Sequence, residues 1–498
     1  MVRKIRILLA AFFYIAVTLL FLGVSWRINL WFGWVAKIQF LPALMALDFA
    51  VLAGLIVLTL LFGRLYCSVI CPLGVMQDIF AWFGRKAKKN RYSHSPEKKW
   101  LRYTVLAVFI VCLIVGFAPV TTLLAPYSAY GRIVNSLFQP LYNLLINGLA
   151  AVETHLDSYM LSEAEVWMRS VTTFVVALLT LGVLGTLAWR HGRTYCNTVC
   201  PVGTILSFFA RFSLFRIQIN EDKCRKCSLC EKNCKAAAID FKNGTVDLTR
   251  CVVCGDCIDK CHDGAISYKT VSLKDRCTQR QKTANAQSPD SSRRAFLTGA
   301  AVAVGTAAMA QAKIKVDGGL AEIEDKIAPH RQTPVTPPGS ASARNMHRHC
   351  TACQLCVSAC PNNVLRPSTD PLRFMQPEMS FERGYCRPEC TRCSQVCPTG
   401  AIQAIRKEDK SFIHIGYAVW IEQNCIPVVN GDHCGACAKH CPTDAIRMVE
   451  HTTADGRTVQ VPAIDKERCI GCGKCEHLCP ARPFSAIYVE GNSTHHVH

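Results

Sequence analysis

Long apolar runs fill the first 210 residues of this chain, and short polar segments rich in cysteine fill most of the rest. The apolar runs extend from Ile7 to Trp26, from Ile38 to Phe62, from Leu101 to about Ala125 and from about Val166 to Trp189. Each reaches the roughly 20 residues that cross a ~30 Å hydrocarbon core at ~1.5 Å per residue, so the pattern predicts four membrane-spanning helices. The first run has no small-residue cleavage site and reads as an anchor rather than a removable signal. Leu137–Leu149 is shorter and is expected to lie along the membrane interface. The pattern divides the chain into a four-helix membrane domain (1–215), a small domain (216–276), a linker (277–294), a fifth apolar segment (295–312), a second linker (313–349) and a larger domain (350–490). The His-rich end, with His495, His496 and His498, reads as a frayed tail.

Charge orders these elements. The net charge of +20 would suit a nucleic-acid binder if it lay on one face. Instead, residues 85–102 carry eight Lys or Arg against Glu97, whereas 126–165 carry Arg132 against Glu153, Asp157, Glu163 and Glu165. Basic and acidic loops alternating between apolar runs follow the positive-inside rule, so membrane topology accounts for the charge and no nucleic-acid partner is expected. Arg3, Lys4 and Arg6, the 85–102 loop and the group Arg190, His191, Arg193, Arg211 and Arg216 fall on the cytoplasmic side, and 126–165 falls outside. The two hairpins so formed repeat a motif. Arg64-Leu65-Tyr66-Cys67, Cys71-Pro72 and Gly74 recur as Arg193-Thr194-Tyr195-Cys196, Cys200-Pro201 and Gly203, the mark of a duplicated unit around a pseudo-symmetric site.

Cysteine brings in the chemistry, with 30 in the chain. Cys224, Cys227, Cys230, Cys234 and Cys251, Cys254, Cys257, Cys261 each follow the bacterial ferredoxin spacing, in which the fourth cysteine of one run ligates the other run's cluster. The expected sets are Cys224, Cys227 and Cys230 with Cys261, and Cys251, Cys254 and Cys257 with Cys234. The usual proline after the fourth cysteine is replaced by Lys235 and His262. Four further groups end in Cys-Pro: Cys350, Cys353, Cys356, Cys360; Cys386, Cys390, Cys393, Cys397; Cys425, Cys434, Cys437, Cys441; and Cys469, Cys472, Cys475, Cys479. Together the groups predict six [4Fe–4S] clusters. Zinc sites use paired Cys-x2-Cys rather than four-cysteine runs, and a disulfide scaffold has no reason to repeat this spacing. Neighbouring groups of the last four can exchange their fourth cysteine, or the first can pair with the fourth and the second with the third.

The two Cys-x3-Cys-Pro copies put thiols at i and i+4, on one face of a helix that the proline ends or kinks. Cys67, Cys71, Cys196 and Cys200 could bind a metal cluster, form redox-active disulfides or line a quinone site; packing as small hydrophobes is the plainer alternative. Cys112 and Cys277 stand alone and are expected to be inert. There is no Cys-x-x-Cys-His for haem c, and no Walker or dinucleotide fingerprint, so neither haem c nor a nucleotide is expected. Ser291-Ser292-Arg293-Arg294-Ala295-Phe296-Leu297, followed by an uncharged small-residue run to Ala312, resembles a twin-arginine export signal. That route carries folded cargo, which suits clusters assembled in the cytoplasm. Ala310-Gln311-Ala312 offers a cleavage site, but the segment is expected to stay uncut as a fifth span tethering the two halves.

On these motifs residues 1 to about 270 resemble NapH, the membrane ferredoxin-type component of periplasmic nitrate reductase systems, and 288 to about 490 resemble its exported partner NapG. The methylamine-utilisation ferredoxin-type proteins look similar. The resemblance implies a helical membrane domain with α+β ferredoxin-like iron–sulfur domains on both sides of a bacterial inner membrane. It implies a quinol dehydrogenase that draws on the quinone pool and passes electrons to a periplasmic reductase or cytochrome c, with the twin-arginine translocase exporting the four-cluster half. Four-cluster subunits of membrane reductases point to the nested ligand exchange, which is the expectation here. The alternatives are an assembly factor for a respiratory metalloenzyme, or an electron carrier in methylamine or nitrous oxide metabolism. One physical difficulty stands: a bilayer core of ~30 Å separates the clusters of the two sides.

Overall fold

The computed structural model describes residues 2–90, 92–94, 97–155, 164, 166–270, 324–453 and 455–497. The twin-arginine stretch, the expected fifth span and Cys277 lie outside the described residues. The chain begins with α1 (Val2–Leu22), α2 (Trp26–Lys37), α3 (Phe40–Met45), α4 (Phe49–Phe62), α5 (Leu65–Val69) and α6 (Pro72–Lys86). It continues with α7 (Lys99–Val115), α8 (Ala118–Leu124), α9 (Pro126–Ile133), α10 (Gln139–His155), α11 (Val171–His191), α12 (Thr194–Thr198) and α13 (Pro201–Ala210).

Among the described residues two helices, Arg3–Leu22 and Val171–His191, are long and apolar enough to cross a membrane. The second and third predicted runs are each broken in two. Asp48 interrupts the second, because its carboxylate accepts the Val51 N–H at 3.2 Å and caps α4. Gly116, left-handed at φ 83°, stops α7, and Pro119 sits in the first turn of α8. Each break marks a residue that favours a helix end over a helix interior. The outward faces of α1, α7, α10 and α11 expose large apolar side chains, among them Leu8, Ile114, Leu145 and Val171.

The segment expected outside as an acidic connection contains a buried helix. Every residue of α9, Pro126–Ile133, is buried. Its Tyr127 and Tyr130 rings lie 5.4 and 6.5 Å from Phe21 of α1, and the Tyr130 hydroxyl is 2.7 Å from that of Thr18. Apolar content alone did not distinguish this helix, because its burial rests on two tyrosines and on Gly131, which admits the neighbouring chain.

The two cysteine-rich domains sit at opposite ends of α1, whose 21 residues extend ~31 Å at ~1.5 Å per residue. At the N-terminal end the strands Phe215–Ile219 and Ile266–Thr270 pair antiparallel, Ile219 opposite Ile266, beside the short helices Leu229–Lys232 and Asp256–Lys260. Arg3 binds Asp256 at 2.9 Å and Asp259 at 2.6 Å, and Tyr268 donates to the Phe62 carbonyl at 3.0 Å. At the other end Gln139 Nε2 donates to the Leu22 carbonyl, and Asn135 Nδ2 donates to Gln354 at 3.2 Å. Arg392 lies over the Trp26 ring at 5.2 Å, and Arg366 and Arg383 lie over Trp167 at 4.4 and 4.6 Å.

This larger domain is built on the antiparallel pairs Ile413–Trp420 with Ile487–Val497 and Ile446–Thr452 with Thr458–Ile464. It begins earlier and ends later than its cysteines suggest. Residues 324–349, expected as linker, belong to it: Val335 and Ser340 are buried, and Ser342 caps the helix Ala343–His349 through the Asn345 N–H. The tail expected to fray is a strand, in which His496 pairs with His414 and the His495 N–H donates to the Ala341 carbonyl at 2.8 Å. Polar composition hid both segments, whose order comes from backbone partners supplied by distant chain.

Gly131 marks the contact between the apolar helices and this domain. A Cβ there would stand 2.4 Å from the Cys353 carbonyl oxygen and 2.6 Å from the Phe21 ring. We expect Gly131→Ala to cost about 1–3 kcal/mol, as overpacking of a filled core does. Denaturant unfolding in detergent would register it as a lowered midpoint, and limited proteolysis as earlier separation of the C-terminal domain.

Candidate metal centres

Four of the six cysteine groups share one backbone form. The residues on either side of the middle cysteine of the spacing are left-handed: Lys226 and Ser228, Val253 and Gly255, Ala352 and Gln354, Gly471 and Gly473. Left-handed backbone costs roughly 1–2 kcal/mol per non-glycine residue, so its recurrence points to a shape the chain must keep. The fourth cysteines repeat a second feature. Cys234, Cys397, Cys441 and Cys479 accept backbone N–H groups of Ala238, Ile402, Ala445 and Ala486 at 3.3–3.5 Å. Groups with a longer first gap, at Cys386 and Cys425, lack the left-handed pair.

In the smaller domain Cys251, Cys254, Cys257 and Cys234 lie within electrostatic reach of one another. Cys224, Cys227 and Cys230 form a second group, and Asp263, two residues past Cys261, pairs with Arg225 at 3.2 Å. In the larger domain Cys350, Cys353 and Cys356 gather with Cys397, and Cys386, Cys390 and Cys393 with Cys360. Cys425, Cys434 and Cys437 gather with Cys479, and Cys469 and Cys472 with Cys441. Neighbouring motifs therefore exchange their fourth cysteine, which corrects the nested expectation. The cause is local packing: the helix Leu355–Ala359 lies on Arg392–Val396, and Ala436–Lys439 lies on Lys474–Leu478.

These donor sets fit a cubane. Every described cysteine is an unpaired thiol. Burial pushes the thiols of Cys353 and Cys472 up to about 12 and that of Cys437 up to about 11, so a positive core is needed to hold them as thiolates. No three His, Cys, Asp or Glu side chains among the described residues close on a single-ion site. A cubane is wider, and takes one thiolate at each of four irons.

The Cys-x3-Cys-Pro copies are built differently from the expected continuous helix. Cys67 lies in α5, and Cys71 is the N-cap of α6 with Pro72 as its first residue; Cys196 in α12 and Cys200 before Pro201 of α13 repeat this. Proline opens the second helix, where its fixed φ and missing N–H are tolerated, rather than ending the first. All four cysteines are buried, and each interacts with the other three.

Two fully buried arginines cross between the copies. Arg64 of the first donates to the Cys196 carbonyl at 3.0 Å and to Asn197 Oδ1 at 2.8 Å, and reaches Cys67 Sγ at 3.8 Å. Arg193 of the second donates to the Cys67 carbonyl and to Asp78 at 2.7 Å. Gly74 and Gly203 make the crossing possible, since a Cβ on either would stand 2.2–2.3 Å from the same two carbonyl oxygens. Further bonds tie the crossing to the smaller domain, from Arg64 to the Thr249 carbonyl and from Asn197 to that of Ala236. Arg64 Nε, Arg193 Nη2 and Gln77 Nε2 are buried without a hydrogen-bond partner among the described residues, each at a cost on the order of 1–3 kcal/mol.

Beside this group an apolar cavity of about 420 Å³ opens between α1 and α6, lined by Ala10, Ala11, Tyr14, Val75 and Trp82. Its polar end is an ion network. Asp78 binds Arg6 at 2.9 Å, Arg193 at 2.7 Å and Lys235 at 2.9 Å, and Lys235 reaches Asp256 at 3.4 Å. Lys235 follows Cys234, and Asp256 precedes Cys257. Buried Arg132 donates to the Thr122 carbonyl and lies within electrostatic reach of Tyr195 and Cys353. Sequence reasoning noted Arg64 and Arg193 as the first residues of the repeat but gave them no role at the cysteines, and it passed over Asp78. The signal was present in the repeat: both copies place Arg three residues before the first cysteine and Gly three after the second.

A family described as a 4Fe-4S binding domain matches residues 45–91 and 171–220, and one described as a 4Fe-4S dicluster domain matches 349–401 and 432–482. The methylamine utilization ferredoxin-type protein MauM of Paracoccus denitrificans is 31% identical over 198 residues, 38% of this chain and 82% of that protein. The ferredoxin-type protein NapG of Escherichia coli is 30% identical over 181 residues, 33% of this chain and 77% of its own. An uncharacterized protein, MJ0749, of Methanocaldococcus jannaschii is 35% identical over 98 residues; the match spans 20% of this chain and only 39% of that protein. No solved structure matches.

Removing the acid at the centre of the ion network tests its weight. Asp78→Asn leaves Arg6, Arg193 and Lys235 without their shared counter-charge, and stability measured by denaturant unfolding should fall by about 3–5 kcal/mol. Asp259→Asn, which removes a partly exposed partner of Arg3, should cost no more than about 1 kcal/mol.

Proposed function

The chain belongs to the ferredoxin-type family that includes MauM and NapG, and from that premise we propose that it oxidises quinol in the bacterial inner membrane and passes the electrons to a periplasmic reductase system. As a ferredoxin-type iron–sulfur protein it carries electrons; the quinol, the membrane and the acceptor are the proposal. Six [4Fe–4S] clusters are held by the thiol sets described above, with Cys261 completing the set of Cys224, Cys227 and Cys230. Four spans form the membrane domain, the second and third each made of a broken pair of helices. The smaller domain is cytoplasmic, the larger periplasmic. Nitrate reductase is the proposed acceptor system.

The observation that carries the quinol reading is the cavity of about 420 Å³. Its volume lies in the range of small-molecule sites, and its apolar walls with a polar end suit a headgroup on an isoprenoid tail. Ala10, Ala11 and Tyr14 bring one wall from α1, so the mouth opens where lipid would be. Arg6, Asp78 and Lys235 hold the polar end beside Cys234, which puts a quinol hydroxyl next to the first electron acceptor. Apolar exposure on α1, α7, α10 and α11 supports the membrane setting, since soluble proteins rarely present such continuous faces. Placement of the two domains at opposite ends of α1 supports their opposite sides.

Anaerobic protein carrying its cluster iron should bleach in the visible when mixed with a menaquinol or ubiquinol analogue. Ala11→Trp, which fills the cavity, should slow that bleaching at least tenfold while dithionite still reduces the protein. Iron-loaded protein that dithionite reduces and no quinol analogue does would sink the proposal.

A further inference from the structure

We propose that Cys67, Cys71, Cys196 and Cys200 together hold a seventh centre, an iron–sulfur cluster shared between the two copies of the repeat. Each copy supplies two thiols, and all four are buried within electrostatic reach of one another. As bare thiols they leave the site incomplete. Arg64 and Arg193, whose guanidinium groups lock the two copies together, each keep a buried donor unpartnered, as does Gln77, whose Oε1 already accepts from Cys196 Sγ at 3.5 Å. Inorganic sulfides of a cluster would accept those donors. An oxidised core of two or four irons with four thiolates carries a net charge of about −2, which the two guanidinium groups face.

The bland readings fit less well. Packing cysteines would not need three unmatched donors around them. Disulfides are absent among the four, and a single metal ion has no three-ligand site there. The segments that match a 4Fe-4S binding domain, 45–91 and 171–220, each contain one Cys-x3-Cys-Pro copy and stop before Cys224. Those matches therefore fall on this group, not on the ferredoxin spacings that follow it.

Position gives the centre its use. On one side, Asn197 and Arg193 bond the loop that carries Cys234. On the other, Tyr195 and Arg132 donate to the Leu124 and Thr122 carbonyls, and Arg132 lies within electrostatic reach of Cys353. One electron from a reduced cluster on the Cys234 side enters the centre, changing its iron by one oxidation unit, and leaves toward Cys353; no bond forms or breaks. A relay here divides the ~30 Å crossing into two shorter steps.

The test uses the full chain, purified anaerobically in detergent, and needs no quinol, so its failure is separate from failure of the quinol proposal. Iron and acid-labile sulfide should come to about 26 or about 28 per chain, for a two-iron or four-iron centre, where six cubanes alone give about 24. Cys71→Ser combined with Cys200→Ser should lose the excess iron and one paramagnetic species from the dithionite-reduced spectrum, leaving the others. Iron of about 24 in the unaltered protein overturns the proposal whether or not the variant folds. So does finding the four cysteines as disulfides after denaturing alkylation, or a variant with unchanged iron and spectrum.

Discussion

Arg64 and Arg193 are guanidinium groups with no measurable exposure, and a cation taken out of water costs several kcal/mol unless fixed partners surround it. Those partners come from everywhere at once. Arg64 needs the other copy of the repeat and the Thr249 carbonyl; Arg193 needs Cys67, Asp78 and, through its backbone, Lys235. Either arginine gains the partners it has only when both hairpins and the smaller cysteine domain are assembled. The helical part and the cysteine-rich part are thus one cooperative unit rather than a bundle with a domain hung from it. The cavity inherits its polar end from the same bonds, since Asp78 serves Arg193 and lines the cavity together.

Much of the chemistry was legible because spacing is a local property. Cys-x2-Cys-x2-Cys-x3-Cys names the same fold wherever it occurs, and the left-handed residues around Cys227, Cys254, Cys353 and Cys472 are its backbone expression. The repeat at Arg64 and Arg193 could be seen too, down to its glycines. What periodicity could not reach was decided by contact between distant parts. Which motif lends its fourth cysteine to which depended on how the helices Leu355–Ala359 and Arg392–Val396 pack. Residues 324–349 look like linker in composition, yet they fold because the strand ending at Val497 and its neighbours offer them backbone partners. Asp48 and Gly116 broke predicted spans for a different reason: mean hydropathy over a window hides a single residue that caps or reverses a helix.

Burial of α9 also changes the picture of how the two ends of the molecule meet. A connection read as an outer loop instead packs Tyr127, Tyr130 and Arg132 between α1 and the four-cysteine groups. Gly131 then lets the Cys353 carbonyl approach the helix backbone to a distance no other residue would allow. The larger domain is therefore seated on the apolar helices themselves, by close backbone contact, Asn135 and the Trp26 and Trp167 faces. A tether alone would fix local concentration but not orientation; this contact fixes both.

The arginine crossing also relates the two copies by symmetry. Arg64 reaches the carbonyl of Cys196 while Arg193 reaches that of Cys67, and Gly203 and Gly74 clear the two paths. Residue i meeting j while j meets i is the signature of an isologous interface between identical subunits. Here both halves lie in one chain, related as a duplicated unit is around a pseudo-two-fold axis. Outside the crossing the copies differ: only the second runs on into a ferredoxin domain, and only the first carries an acid where Asp78 stands, its counterpart being Ser207. The exchange of arginines is what both copies keep, because each half supplies the other with the group that completes it.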